Sequence, residues 1–292
     1  MHIKSLNRLD PTLEKEMKEV YSRCKEHDKL KGNLYLDGSV NFDQEIKYLF
    51  LLYEENKLVS FLFMFIPTRE EAEISAYTLP DYRRRGYFKR LLSEAVEELK
   101  KYDIKDVLFV CENKSLSGKE SISSLGADYD FTEYYMKFDK TTNVLDKSNE
   151  FKTKFYLPDR SDIKRLAYVS AQVFEESVED EEEFITNCFN STNRKNYATV
   201  LEDQIIGIGS GYFGYEEVAI YGLGILPKFQ GKGYGRELIL LIVKYLLENG
   251  HDNITIEVES NNTPAFNLYK SSGFIIETAF DYYRKPVNTF NL

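Results

Sequence analysis

The 292-residue sequence predicts an α/β (α+β) fold built twice in tandem, each copy a mixed central sheet flanked by helices. Three observations predict it. One ungapped shift of 147 residues aligns the two halves of the chain. Both halves then run through the same order of elements. In each, a strand, a glycine-marked loop, a helix and a further strand follow one another directly, which requires a crossover connection and some parallel pairing.

The repeat rests on particular residues. Leu79-Pro80 and Gly86-Tyr87 recur as Leu226-Pro227 and Gly233-Tyr234, 147 positions later. Leu91, Glu112, Gly126 and Tyr135 recur as Leu238, Glu259, Gly273 and Tyr282 at the same offset. Self-similarity at half the chain length reads as two copies, 1–145 and 146–292, joined through the polar stretch 139–154. Each copy opens with an amphipathic helix, carried by Leu13, Met17, Val20 and Tyr21 in the first and by Ile163, Leu166, Val169 and Val173 in the second. A hairpin follows, over 48–53 and 58–66 with a Glu54-Glu55-Asn56-Lys57 turn, and over 197–201 and 205–213 with a turn at Glu202-Asp203. Strands at 73–79 and 218–226 end at prolines. Apolar helices at 90–101 and 236–248 follow the glycine loops, then strands at 107–111 and 254–258. A helix ending at Gly126 or Gly273 and a final aromatic strand close each copy.

Bulk properties narrow the function. Hydrophobic residues at 42% supply a core, and charged residues at 29% fit a globular protein. The longest apolar stretch, 238–247, is broken by Lys244 and is too short to span a bilayer. The first ten residues have mixed charge and no apolar core of a signal peptide. Cys24, Cys111 and Cys188 are odd in number and have no paired spacing, which argues against disulfides and a metal site and fits the cytoplasm. The net charge is −10, shared between both halves, so no nucleic-acid partner is expected. An acidic surface suits a cationic small molecule. None of the three histidines, His2, His27 and His251, stands near a candidate nucleophile, so triad chemistry is not expected.

The chemistry concentrates in the second copy. It reads Gln230-Gly231-Lys232-Gly233-Tyr234-Gly235-Arg236 before a helix. Glycines let the backbone approach a ligand and aim several N–H groups at one point. The helix start behind them adds unsatisfied N–H groups and the positive dipole end, which together favour an anion. No Gly-Lys-Ser/Thr or G-x-G-x-x-G spacing is present, so this is neither a Walker loop nor a dinucleotide fingerprint. The strand before it runs through Ile225-Leu226-Pro227. Twenty-seven residues after Gly235 comes Asn262-Thr263-Pro264-Ala265-Phe266-Asn267-Leu268-Tyr269, then Gly273-Phe274.

In this order and spacing, 217–274 resembles the GNAT superfamily of N-acetyltransferases, and the repeat extends the resemblance in weaker form to the first half. The resemblance implies a site for acetyl-CoA as co-substrate, with no metal. Residues 230–236 would cradle the pyrophosphate, and the backbone of Ile225, Leu226 and Pro227 would run beside pantetheine. Asn262 would stand near the pantetheine arm, and Tyr269 would protonate the departing thiolate. Glu217, ten residues before Pro227, would help deprotonate the amine. The chemistry agrees. A lysine-like amine of pKa ~10 must lose a proton before it attacks, and a thiol of pKa ~8.5 leaves more easily beside a phenol. The acceptor expected is a small-molecule or peptide amine, a cationic one included.

The first copy departs from the pattern. Its loop reads Arg83-Arg84-Arg85-Gly86-Tyr87-Phe88, with Phe88 in place of Gly235. Ser115 stands where Asn262 stands, Ile122 where Tyr269 stands, and Ala127 where Phe274 stands. Isoleucine donates no proton, so copy one reads as a structural or acceptor-shaping domain. The arginines suit phosphates or an exposed turn equally. Seven acidic residues within 175–183 suit either a solvated helix face or an acceptor wall. Two other functions stay open at this level, a non-catalytic acyl-CoA sensor and a transferase with another acyl donor, aminoacyl-tRNA included.

Overall fold

The computed structural model describes residues 1–145, 151–214 and 216–291. In chain order the elements are β1 (His2–Leu6), α1 (Pro11–Asp28), β2 (Leu49–Glu54), β3 (Lys57–Phe65), β4 (Glu71–Thr78), α2 (Tyr87–Lys101), β5 (Asp106–Glu112), α3 (Leu116–Ser123) and β6 (Asp128–Phe138). Then follow β7 (Lys154–Tyr156), α4 (Ile163–Phe174), α5 (Val178–Asn190), β8 (Arg194–Leu201), β9 (Gln204–Phe213), β10 (Val218–Ile225), α6 (Tyr234–Glu248), β11 (Ile254–Glu259), α7 (Thr263–Ser271) and β12 (Phe274–Pro286).

Local chemistry explains most boundaries. Asp10 caps α1 by accepting from the N–H groups of Thr12 and Leu13, with Pro11 at the first helical position. Both hairpins turn on residue pairs with positive φ, Glu55 and Asn56 at 48° and 66°, Glu202 and Asp203 at 48° and 65°. That backbone twist matches the twist of paired strands. Strand β1, helix α5 and short β7 are elements that the sequence pattern did not reveal. Helix α5 takes in most of the acidic stretch and is anchored by buried Ile185 and Cys188. Its first turn carries Glu179, Asp180 and Glu181, where the helix dipole favours negative charge.

The described chain forms two compact units, Met1–Glu133 with Thr278–Leu292, and Tyr134–Glu277. In the first, the strand order is β1-β2-β3-β4-β5-β12. Strands β4 and β5 are parallel, and β12 runs antiparallel to β5 from Phe280↔Glu112 to Pro286↔Asp106. In the second, the order is β6-β11-β10-β9-β8-β7. The repeat boundary at 145/146 and the linker stretch 139–154 fall on or against 146–150, which lie outside the described residues. The compact units are cut elsewhere, because the end of the chain completes the sheet of the first unit. A strand with aromatic residues on both faces suits either sheet, so the repeat alone does not say which sheet it joins.

The end of the chain is tied into the first unit by more than backbone pairing. Val287 and Phe290 are buried in its core with Leu92, Val107 and Phe109. The buried Glu112 carboxylate accepts from the backbone N–H groups of Lys31 and Gly32 and from Thr278 Oγ1 at 2.8 Å. Arg284 bonds Glu71, Asp106 and Asp130. Deleting 278–292 is therefore expected to remove a strand, two core side chains and a donor to a buried carboxylate. Loss of a buried Phe alone costs about 3–5 kcal/mol, a large part of a total stability of ~5–15 kcal/mol. Calorimetry should show a melting transition lowered by more than about 10 °C. A transition within about 2 °C of the intact chain would count against this role.

Candidate active site

The glycine loop is held open by its own geometry. Gln230 leaves the strand end in extended conformation, and its Nε2 donates to the Ile225 carbonyl at 2.9 Å, folding the loop back on β10. Gly231 and Gly233 follow with φ of +73° and +90°. A Cβ on either would meet no atom within 4 Å, so conformation rather than crowding selects glycine. Gly233 is the N-cap of α6 and offers no side chain to the first helical N–H groups. The Arg236 and Glu237 N–H groups bond the Gly233 carbonyl at 3.1 and 3.2 Å. Those of Tyr234 and Gly235, at the first two helical positions, have no intrahelical carbonyl to reach. Lys232 Nζ bonds the Lys228 carbonyl at 3.1 Å and lies over the Phe229 ring, beside the loop.

Gly235 serves a different purpose. A Cβ there would stand 3.4 Å from Leu268 Cδ2 and 3.8 Å from Ile225 Cγ1. Its small size lets α7 and the end of β10 close against the start of α6. Leu268 adjoins Tyr269, which is buried in the same cluster as Ile225 and Phe274. Burial pushes the Tyr269 phenol up to about 12, so it keeps its proton at neutral pH. Asn262 is exposed and caps α7, its Oδ1 accepting from the Ala265 N–H at 3.2 Å. Ser115 caps α3 in the same way, accepting from Gly118 at 3.3 Å. The repeat position thus keeps a capping residue in both copies, and only one of them is asparagine.

Beside this loop two strands part. The parallel ladder between β10 and β11 spans Val218↔Ile254 to Ile220↔Ile256, yet β10 continues to Ile225 and β11 to Glu259. The separation begins at a bulge in β10, where the register against β9 shifts between Tyr221 and Gly224 and Gly222 takes φ +57°. Bulges add twist and bend a strand away from its neighbour. Gly224 is needed for space, since a Cβ would fall 2.0 Å from Val173 Cγ1 of α4. Helix α4 therefore sits hard against the parted stretch of β10.

Residues 225–236 run from the end of β10 into α6 beside this opening, Tyr269 shares a buried cluster with Ile225, and Glu217 stands at the other end of β10. Glu217 precedes β10 by one residue, eight positions from Ile225, on the order of 25 Å along an extended strand. It lies at the paired end of the ladder, is buried, and accepts the Tyr135 hydroxyl proton in a hydrogen bond. Burial first, and then the Glu217 charge, push the Tyr135 phenol up. The carboxylate at the mouth of the opening is Glu257, exposed and one residue past the last ladder pair. The sequence did carry a signal for it, a glutamate between the apolar Ile256 and Val258.

The first unit keeps the loop conformation without the rest. Arg84 and Gly86 have φ of +62° and +79°, as Gly231 and Gly233 do, and Arg83 Nε bonds the Thr78 carbonyl at 3.0 Å as Gln230 bonds Ile225. Its arginines are engaged by protein groups, Arg83 by Asp28, Arg84 by Glu120 and Arg85 by the Asp81 carbonyl. Phe88 packs toward Phe109, and Ile122 is buried. Among the described residues, no group of three or more His, Cys, Asp or Glu side chains is placed to hold a metal ion. No helix among them is long and apolar enough to cross a membrane.

The sequence model of the acetyltransferase (GNAT) family matches residues 12–116 and again 161–274. A segment of 93 residues is 37% identical to a mycothiol acetyltransferase of Renibacterium salmoninarum, covering 30% of this chain and 28% of that protein. Another of 92 residues is 32% identical to the [ribosomal protein bS18]-alanine N-acetyltransferase of Haemophilus influenzae, covering 31% and 62%. In both cases the chain spans less than two thirds of the relative's length. The fold matches a GCN5-related N-acetyltransferase from Sphaerobacter thermophilus with TM-score 0.76 at 13% identity, over 98% of this chain and 95% of that one. It also matches a tandem GNAT protein from the clavulanic acid biosynthesis pathway with TM-score 0.75 at 14% identity, over 99% and 100%.

Proposed function

Because this chain belongs to the acetyltransferase (GNAT) family, we propose that it is an acyltransferase that moves an acetyl group from acetyl-CoA to an amine, within the second copy. The observation that carries this reading is the parted β10 and β11 strands opening beside an uncapped helix start. A pyrophosphate finds the N–H groups of Tyr234 and Gly235 and the positive end of α6. The freed edge of β10 over 221–225 offers amide groups to an extended pantetheine chain, and Asn262 lies at the start of the neighbouring helix.

In the transfer, the amine nitrogen bonds the thioester carbon and the carbon–sulfur bond breaks. A carboxylate takes the proton that the amine must lose. Glu257, exposed and just past the last ladder pair, is the carboxylate this reading assigns, with Glu217, which accepts from Tyr135 at the start of the ladder, as the other candidate. The departing thiolate takes a proton from Tyr269. Copy one, with Ile122 at the matching place, leaves chemistry to its partner. The test is calorimetric titration of the whole protein with acetyl-CoA, followed by release of free thiol with a panel of amines. Micromolar binding and amine-dependent thiol release are expected. No binding of acetyl-CoA by the folded protein would overturn the reading.

A further inference from the structure

One face of the second unit's sheet carries side chains that helix packing does not account for. Strand registers place Arg194 opposite Tyr212, Tyr212 opposite Ala219 and Ala219 beside Thr255. The next row on the same face is Asn196, Ser210 and Tyr221, and two residues on from Thr255 the line of β11 reaches Glu257. Only with the third row, Ala198 and Ile208, does the face become apolar, and there it packs with Leu166 and Val169 of α4. The first two rows lie beyond α4, beside α5, where Cys188 Sγ stands 3.6 Å from the Tyr221 hydroxyl.

These rows hold groups suited to a small polar ligand. The Arg194 guanidinium carbon lies 5.1 Å from the Tyr212 ring centre and 5.0 Å from that of Tyr221. Two rings flank the guanidinium, and its planar fork matches a carboxylate in two parallel hydrogen bonds. Asn196 Oδ1 accepts from Ser210 at 2.9 Å, while its buried Nδ2 has no partner. A buried donor left unpaired is costly, and a ligand acceptor would recover that cost. Ala219, between Tyr212 and Thr255, is only partly buried, so the floor is lowest there. From β8 to β11 is about 14 Å at the backbone, and Arg194 already leans across β9. The remaining span suits a small molecule.

We propose that this face is the acceptor floor and that the acceptor is a small amine that also bears a carboxylate, of the amino-acid class. Its carboxylate pairs with Arg194, Asn196 adds a donor, and its amine lies toward Glu257 at the mouth of the opening. This rests on the acetyltransferase reading and narrows its substrate.

The test uses the full chain, acetyl-CoA and pairs of amines that differ by one carboxylate: L-lysine with 1,5-diaminopentane, L-phenylalanine with 2-phenylethylamine, and 4-aminobutanoate with 1-aminopropane. Thiol release should favour the carboxylated member of at least one pair by about 100-fold in kcat/KM, since removing a group that a polar site is built to hold is strongly penalised. Arg194→Gln should bring that ratio to within a few-fold, Arg194→Lys should restore part of it, and acetyl-CoA affinity should stay within about threefold in both. Equal or better use of the decarboxylated member in every pair overturns the proposal, as does a ratio that survives Arg194→Gln. Tight acetyl-CoA binding with no reaction of any carboxylated amine also overturns it and leaves the acetyltransferase reading standing. Failure to bind acetyl-CoA removes that reading itself.

Discussion

Replacing Gly233 with glutamate should weaken acetyl-CoA binding at least a hundredfold while the protein stays folded. Three effects point the same way. Gly233 has φ +90°, where a residue with a Cβ carries strain of about 1–3 kcal/mol. The new carboxylate would occupy the positive end of α6, where the pyrophosphate belongs. It would also repel the phosphates directly. No atom lies within 4 Å of the added Cβ, so the loss would not arise from a crowded core. Gly233→Ala separates the contributions, because it brings the backbone strain without the charge and should weaken binding less. Titration calorimetry reads both variants. Unchanged affinity in a folded Gly233→Glu protein would place the nucleotide elsewhere, and acetyl transfer that survives in it would move the chemistry to the first copy.

Tyr269→Phe should cut turnover by roughly 10²–10⁴-fold, the usual contribution of a positioned general acid, and should change acetyl-CoA affinity little. The ring that packs near Phe274 remains, and only the hydroxyl goes. The loss should also be flat with pH. Burial holds the phenol near 12, so between pH 6 and 10 the wild-type residue is protonated throughout and its contribution does not titrate away. Steady-state rates for both proteins across that range, with melting temperatures as a control, make the measurement. A drop of only a few-fold would show that water or the acceptor protonates the thiolate.

The candidate site was legible in the sequence where it depends on local backbone. Gly231 and Gly233 take left-handed conformations, and Pro227 opens the single helical turn after β10. These choices depend on the residue and its immediate neighbours, so a run of seven residues announced the loop. The hairpins at Glu55-Asn56 and Glu202-Asp203 and the amphipathic helices were readable for the same reason. Tyr269 and Ile122 were distinguishable because a shift of 147 residues compares them directly.

What tertiary structure decided is which distant residues meet. The strand ending at Pro286 completes the sheet of the first unit, and its alternating pattern is the same whichever sheet receives it. Arg83, Arg84 and Arg85 suited phosphates by charge, but carboxylates and a carbonyl brought near by folding engage them. Glu217 stands just before the first pair of the β10–β11 ladder and Glu257 just past the last, a placement that spacing along the chain does not reveal. The polar rows from Arg194 to Thr255 draw on four strands, so no window of sequence contains them. Sequence by itself determined the fold, the repeat and the conformation of the glycine loop, because backbone conformation and periodicity are local properties. The relative placement of Glu217, Glu257 and the polar rows depends on register between strands, and register is settled only when the whole sheet assembles.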